Sequence, residues 1–349
     1  MDSIRDLVQK LRADDPELPL LGPDDSVSYR KFLEFTVMQW NGAGKPVPTE
    51  ALPLPGKPSD GSYMYRGQNQ RYPVCMPSLL RKPIESEWDL KSRLALERFQ
   101  VAELELILAK HPFSEIAKKF GYKTDFHALA QHYGIPTSLL DVTSNIEIAA
   151  FFATAKWNEE TETFSPMDSG QGVMYRLEWT QLGPGFTKHF EPVGFGPGLR
   201  PARQHAWTFK IPPGRDFEDV PHLTAFEFEH SKIASADLFE QFQDGEVLYP
   251  PDCLAPLVKK LRALPFISMH AIRYAAEQDG VPLDELDQAA DRSAKMLNQL
   301  LGMDVLEGHR LELEQEDIDI AASQARTLDA AFRDLRVAFR LTSTRPDPQ

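Results

Sequence analysis

Apolar residues recur at helical spacing at the N-terminus of this chain, and the spacing predicts a helix that Asp2 or Ser3 caps. Its buried face would carry Ile4, Leu7, Val8 and Leu11. Aromatic residues at inward positions predict a second helix over residues 28–40. Residues 42–61 are dense in proline and glycine, which predicts a loop or extended connector and fits a surface hairpin or a lid equally well.

From residue 62 the pattern changes to short alternating stretches, typical of strands, between amphipathic stretches, typical of helices. Ser144 and Glu147 have the spacing of a capping box, which predicts that an apolar helix over residues 146–157 starts there. Strands are predicted over residues 62–67, 170–179, 206–212 and 223–233. Helices are predicted over residues 85–119, as one long helix or two, and over 128–133, 237–245 and 256–264.

Beyond about Leu264 the strands are predicted to cease, and residues 281–302 and 311–341 have a helical period. We therefore predict three parts, namely N-terminal helices over residues 1–43, a mixed α/β domain over 44–264 and a helical appendage over 265–349. The predicted fold class is α+β, with a mixed α/β core between the helical N-terminal segment and the helical C-terminal region.

Composition places the chain among acidic globular proteins. Its 349 residues carry 38 basic and 52 acidic side chains, a formal net charge of −14, which weakens any case for a broad surface that coats nucleic acid. Neither a membrane-spanning stretch nor a secretory signal is visible, and the only two cysteines cannot form a disulfide framework. We expect a soluble, cytoplasmic protein without a membrane partner.

Signatures of several enzyme classes are missing from the sequence. It has no Walker loop, no GxSxG, no HExxH and no GxGxxG after a strand. Its nine histidines include no pair at i, i+4 spacing, so no metal is expected.

The first cluster of candidate functional residues is Tyr65-Arg66-Gly67-Gln68, at the end of a predicted strand. Glycine would let the backbone bend there while the guanidinium stays close, which suits binding of a phosphate or carboxylate through two parallel hydrogen bonds. A structural ion pair between Arg66 and a nearby acid explains the same pattern.

The second cluster lies within residues 131–143, where polar side chains interrupt an apolar stretch. Buried polar groups need partners, so Asp141 and Thr143 face a polar cleft or cap the following helix. Capping explains Gln131 and His132 poorly. His132 suits a general base or proton donor, and a structural histidine is equally consistent with the pattern.

The third cluster contains Arg200, Arg203 and Gln204, between a long Gly/Pro-rich loop and a predicted strand. Guanidinium, amide and aromatic groups at such a place suit a base or a ribose, and solvated basic residues at a strand edge explain the same pattern. On the next predicted strand Glu227 and Glu229 share one face, where two acids are more often solvated than catalytic.

Taken together, the three clusters resemble the FRG domain, a bacterial and phage-associated family named after a Phe-Arg-Gly motif. That motif stands here as Tyr65-Arg66-Gly67-Gln68, and the family's central signature as QHYGIPTSLLDVT at residues 131–143. The later Arg and Gln of the family stand as Arg200 and Gln204, and the resemblance covers residues 28–262.

Three positions depart from the family pattern. Ser138, Val142 and Ala206 stand where the family usually has Arg, Trp and Gly. Without the family's Arg at position 138, a phosphate would be bound differently, unless Arg200 or Arg203 takes the place of that Arg.

The FRG layout is similar to that of ADP-ribosyltransferases, which implies an ADP-ribosyltransferase-like core and NAD as substrate. By that analogy the catalytic residues are Arg66, Asp141, Thr143 and Gln204, and Glu227 or Glu229 is the rival for the third position. The residues expected to bind NAD are Arg66, Gly67, Gln68, Gln131, His132, Tyr133, Thr143 and Arg200.

The resemblance implies a toxin or anti-phage effector that modifies nucleic acid or protein. The expected partners are NAD, that acceptor, and an antitoxin or a second copy bound through residues 265–349. Two other functions stay open, a non-catalytic nucleotide or nucleic-acid sensor and a scaffold for interactions.

Overall fold

The computed structural model of the 349-residue chain describes residues 3–14, 37–40, 46–49, 63–120, 124–158, 160–178, 181–182, 190–193, 197–308 and 311–322. The described part is α+β. No helix in these ranges combines the length and the apolar character needed to cross a bilayer.

Helices and strands alternate irregularly along the chain. The helices are α1 (Ile4–Asp14), α2 (Glu87–Leu108), α3 (Pro112–Phe120), α4 (Phe126–His132), α5 (Ile146–Thr154), α6 (Arg200–Arg203), α7 (Lys232–Gln241), α8 (Leu254–Ala263), α9 (Met269–Gln278) and α10 (Leu286–Leu301). The strands are β1 (Val37–Trp40), β2 (Pro46–Thr49), β3 (Tyr63–Gln68), β4 (Leu139–Thr143), β5 (Ala155–Asn158), β6 (Thr163–Pro166), β7 (Gln171–Glu178), β8 (Phe190–Pro192), β9 (Ala206–Lys210), β10 (Leu223–Glu229), β11 (Phe266–Ser268) and β12 (Asp304–Leu306).

A six-stranded antiparallel sheet in the order β10-β7-β3-β4-β9-β8 forms the centre of the fold. Alternate side chains of a strand point to opposite faces, so the sheet separates two apolar clusters. On β3, Tyr65 packs with α5 on one face, and Met64 packs with Trp207 and Phe209 of β9 on the other. This alternation places α5 directly against β3.

The N-terminal helix is confirmed, and the second predicted helix is wrong where the structure describes it. Ile4, Leu7 and Leu11 of α1 are buried in the cluster that contains α5. The predicted helix over residues 28–40 ends in a strand instead, because β1 pairs antiparallel with β2. Residues 28–36 lie outside the described residues.

The start of α5 differs from the predicted capping box. Asn145 is the N-cap, and its side-chain oxygen accepts hydrogen bonds from the backbone of Glu147 and Ile148 at 2.8 and 3.2 Å. Thr143, two residues earlier, in turn accepts a hydrogen bond from the Asn145 backbone. Ser144 is therefore not the cap, because the adjacent amide reaches the free N–H groups of the first turn.

The region after Leu264 is not purely helical. β11 and β12 pair parallel, so the prediction that strands cease there is wrong for these two segments. Ile267, Ile272 and Leu297 share an apolar cluster with Phe99 and Ala102 of α2. This part of the chain therefore docks on the long helix α2 through apolar side chains of α9 and α10. Of the predicted helix over 311–341, residues 315–322 are helical, and 323–341 lie outside the described residues.

Candidate functional site

A cavity of about 320 Å³ opens in the middle of the sheet, between β3, β4, α4, α5 and the β5–β6 hairpin. Its walls contain polar residues at one end and aromatic residues at the other. They are Tyr65, Arg66, Gly67, Gln68, Asn69, Tyr72, Arg81, Gln131, His132, Asp141, Val142, Thr143, Ala149, Phe152, Ala155, Trp157, Phe164, Gln204, Ala206 and Tyr249.

The cavity lies where the two central strands separate. The ladder between β3 and β4 holds one registered pair, Tyr65 with Thr143. Beyond that pair, the Arg66 guanidinium takes the place of the backbone partner, and its Nη1 donates to the Asp141 carbonyl at 2.6 Å. The separation of the strands leaves room for a ligand beside a half-buried cation.

The Asp141 carboxylate is held on one side and free on the other. Gln131 Nε2 donates to Asp141 Oδ2 at 3.3 Å, and the Thr137 hydroxyl fixes Gln131 from behind. Asp141 Oδ1 has no hydrogen-bond partner among the described residues and lies 3.6 Å from His132 Nε2, which has none either. Asp141 is also the only aspartate or glutamate among the described residues that line this cavity.

The hydrogen-bond network assigns the tautomer of His132. Gln204 Nε2 donates to the Leu248 carbonyl at 3.1 Å, so Gln204 Oε1 is the acceptor that faces His132 Nδ1 at 3.0 Å. In a neutral imidazole the hydrogen is therefore on Nδ1, and Nε2 lies against Asp141 Oδ1. Both atoms are buried without a hydrogen-bond partner among the described residues, at the distance of an ion pair if the ring is protonated.

Gln204 and Thr143 were both predicted to be catalytic, but their polar side-chain atoms form hydrogen bonds with other residues of the protein. The Thr143 hydroxyl donates to the Gln204 carbonyl at 2.8 Å and accepts from the Asn145 backbone at 3.1 Å. Gln204 is 5% exposed and both ends of its amide are occupied. These two residues position His132, β4 and α5.

Replacing Gln204 by glutamate tests this positioning role. A carboxylate would set a second acceptor against the Leu248 carbonyl in a buried place, so we expect Gln204→Glu to lose about 1–3 kcal/mol of unfolding free energy at neutral pH. Urea denaturation of the wild-type protein and the variant measures the loss. A variant as stable as the wild type would contradict the assigned amide orientation.

Two guanidinium groups line the cavity without a carboxylate partner. Among the described residues, neither Arg66 nor Arg81 takes part in an ion pair; Arg81 Nε donates to the Met76 carbonyl, and Arg66 Nε has no hydrogen-bond partner. Burial lowers the pKa of Arg81, and repulsion from the nearby Arg66 lowers it further. An anion between the two guanidiniums would relieve that repulsion.

Aromatic rings form the other end of the cavity. Trp157 on β5 lies 4.7 Å from Phe164 on β6 and is stacked with Tyr249 at 6.2 Å, between ring centroids. Phe152 of α5 meets Phe164 and Tyr249 edge-on. Burial raises the pKa of Tyr249 to about 12, so its hydroxyl stays neutral at physiological pH.

Not every predicted site residue lines the cavity. Tyr133 is buried and donates its hydroxyl to Asp252, and Arg200 lies against the rings of Tyr133 and Tyr249, 4.6 and 5.0 Å from their centroids. Glu227 and Glu229 are exposed on β10, away from the cavity, and Glu227 pairs with Arg71.

The prediction of a turn at Gly67 is wrong. Gly67 lies within β3, which continues to Gln68, and its φ is not positive. A Cβ at this position would lie 1.9 Å from the Ala149 carbonyl oxygen and 2.6 Å from the Ala153 nitrogen. Glycine is required here because the backbone of α5 packs against the strand.

Sequence analysis missed several residues that line the cavity, namely Tyr72, Arg81, Phe152, Trp157, Phe164 and Tyr249. Trp157 was placed at the end of the helix predicted over residues 146–157, and that end is wrong, because α5 ends at Thr154 and β5 begins at Ala155. Arg81 and Tyr249 were not singled out, because each lies outside the three clusters and reaches the cavity only through the fold.

Comparison with protein families supports the resemblance in its central part. Residues 61–162 match the family model of the FRG domain, a span that includes β3, β4 and α5. Arg66, Asp141 and Trp157 lie within the matched span, and Gln204 lies outside it. The comparisons with curated proteins and with solved structures found no match.

Proposed function

We propose that this protein is an NAD-dependent ADP-ribosyltransferase. One observation carries the proposal, namely that a single cavity holds one carboxylate and two guanidiniums, neither of which takes part in an ion pair among the described residues. The arginines suit a diphosphate, and the carboxylate suits the positive charge that develops at a ribose carbon. The similarity of the FRG motif layout to that of ADP-ribosyltransferases supports the same assignment by analogy.

The positive charges of the two guanidiniums match the negative charges of the NAD diphosphate. The diphosphate of NAD carries two negative charges, and each phosphate accepts parallel hydrogen bonds from a planar guanidinium. Arg66 is fixed at one end by the Asp141 carbonyl, so little freedom remains to be lost when an anion binds. The cavity is at the lower end of the usual size range for ligand sites, so we expect it to enclose one nucleotide half of NAD and leave the other at its mouth.

The reaction breaks the bond between C1′ of the ribose and the nicotinamide nitrogen. The bonding electrons leave with nicotinamide, which becomes neutral, and positive charge develops on C1′ and the ring oxygen. The acceptor nucleophile then bonds to C1′ and gives up a proton. A carboxylate fixed beforehand next to the developing charge lowers the barrier without reorganisation.

Asp141 and His132 fit the two roles that this chemistry requires. The Asp141 carboxylate lines the cavity, and its side chain is 35% exposed, so it would stabilise positive charge there. His132, which Gln204 holds through Nδ1, lines the cavity beside it and would act as the general base. Gln204 thus acts through His132, and Asp141 supplies the carboxylate that the sequence analogy sought at Gln204, Glu227 or Glu229.

The acceptor and the cellular role stay predictions. The resemblance implies a nucleic acid or a protein as acceptor and a toxin or anti-phage effector as role. The proposed reaction is compatible with either acceptor class, since both supply nucleophiles that lose a proton.

Arg66→Met tests the phosphate-binding role. The variant keeps an unbranched apolar stem and removes the guanidinium with its charge, so we expect NAD to bind about 10- to 100-fold more weakly, the loss typical of a charge-assisted hydrogen bond. Calorimetric titration with NAD measures the affinity, and release of nicotinamide measures turnover. Arg71→Met is the matched control, because Arg71 is an exposed arginine that pairs with Glu218 and Glu227 outside the cavity.

Three results separate the candidate functions. Nicotinamide release by the wild type that depends on Arg66, and not on Arg71, supports the transferase. Binding of NAD without any release, with and without DNA, RNA and protein acceptors, would indicate the nucleotide sensor instead. Equal loss in the two arginine variants would remove the assigned phosphate site.

A further inference from the structure

The aromatic end of the cavity has a geometry that the proposed chemistry at Asp141 does not use. Trp157 is 43% exposed, although Phe164 and Tyr249 hold it at short ring distances. It lies on a two-stranded hairpin in which β5 pairs with β6, and Trp157 is registered opposite Phe164. The indole is therefore fixed in orientation and still open to solvent on part of its surface.

The surroundings of Trp157 suit a flat ring better than an aliphatic chain. Its plane lies 22° from that of Tyr249, so the two rings form a nearly parallel wall. Aromatic rings stack well on planar groups, because the contact area is large and few rotatable bonds are fixed. Tyr72, also 43% exposed, adds a second aromatic ring among the residues that line the cavity.

We propose that Trp157 is the stacking platform for the planar heteroaromatic ring of a nucleotide whose phosphate binds at Arg66 and Arg81. The cavity combines the features that such a ligand needs, since it has cations for the phosphate, a partly exposed carboxylate for hydroxyl groups and an aromatic wall for the ring. The inference rests on the proposed function for the nucleotide class, and it adds the part of the ligand that is recognised by stacking.

Trp157 is suited to substitution, because its indole makes no hydrogen bond to the described residues and much of the ring is exposed. We expect Trp157→Ala to weaken binding of nicotinamide mononucleotide and AMP about tenfold, the usual scale for the loss of one stacked base. Trp157→Phe should keep the affinity within about threefold, because it retains an aromatic face. Ribose 5-phosphate, which has no heteroaromatic ring, should bind the wild type and both variants equally.

Trp88→Ala is the matched control for these titrations. Trp88 lies on α2, is 63% exposed, and does not line the cavity. It should leave all three affinities unchanged. Quenching of tryptophan fluorescence by the two ring-bearing probes gives a second readout, and we expect most of the quenching to be absent from Trp157→Ala and present in Trp88→Ala.

Two outcomes would overturn the inference. One is that the ring-bearing probes bind Trp157→Ala as tightly as the wild type, or bind neither protein. The other is that ribose 5-phosphate loses affinity as much as AMP does, since the substitution would then have disturbed the cavity as a whole. The proposed function fails by a different result, namely bound NAD from which no nicotinamide is released, and stacking on Trp157 would survive that result.

Discussion

Asp141→Asn should reduce nicotinamide release by about 10²–10³-fold while NAD still binds. The amide has the shape of the carboxylate and lacks its negative charge, so it can no longer stabilise the positive charge on the ribose. Its oxygen still accepts a hydrogen bond from Gln131 Nε2. Its NH₂ group takes the place of Asp141 Oδ1, which lies 3.6 Å from His132 Nε2 in the wild type. The variant should therefore be at least as stable as the wild type in thermal unfolding.

Glu227→Gln is the control for this prediction. Glu227 was the alternative to Gln204 for the third catalytic position in the sequence analysis. Its carboxylate lies on an exposed face and pairs with Arg71. Turnover of this variant should equal that of the wild type. The opposite pattern, an active Asp141→Asn beside an inactive Glu227→Gln, would move the catalytic carboxylate to β10.

Gly67→Ala should lower the free energy of unfolding by about 3 kcal/mol or more. The added methyl group would lie 1.9 Å from the Ala149 carbonyl oxygen, and both close contacts are with backbone atoms of α5. Backbone atoms cannot rotate out of the way as a side chain can, so α5 would have to move off the sheet. Urea denaturation followed by circular dichroism measures the change.

Gly214→Ala separates this packing effect from the general cost of replacing glycine. Gly214 has φ of +79°, and no atom lies within 4 Å of an added Cβ. Only backbone strain is introduced, and we expect a loss of about 1 kcal/mol. If the two variants lost the same free energy, the close approach of α5 to β3 would not be the reason for Gly67.

Many of the helices and strands were predictable from the sequence, but the residue that caps α5 was not. The apolar run over residues 146–154 forms a helix because its own side chains are buried on nearly every face. The choice between Ser144 and Asn145 as N-cap depended on the backbone conformation where β4 ends, which a spacing rule does not contain. β11 and β12 were not predicted, because each strand is three residues long and the two are far apart in the sequence.

The candidate site divides in the same way. The motif residues Arg66, Gln131, His132 and Asp141 were found from the sequence because polar groups in apolar stretches need partners, and the structure brings them to one cavity. Their roles depended on distances. Gln204 was expected to contact the ribose, and only the positions of Leu248 and His132 show that its amide is already occupied.

The sequence by itself determined the α+β class, four of the six strands of the main sheet (β3, β7, β9 and β10), the principal helices between residues 85 and 264, and the group of polar residues that meet in the cavity. These follow from periodicity and from the need of buried polar groups for partners, both of which act over a few residues. The tertiary structure decided which carboxylate is free, why residue 67 is glycine, and that Arg81, Trp157 and Tyr249 join the site. These depend on contacts between residues far apart in the chain, where the separation of β3 from β4 and the approach of α5 fix the geometry.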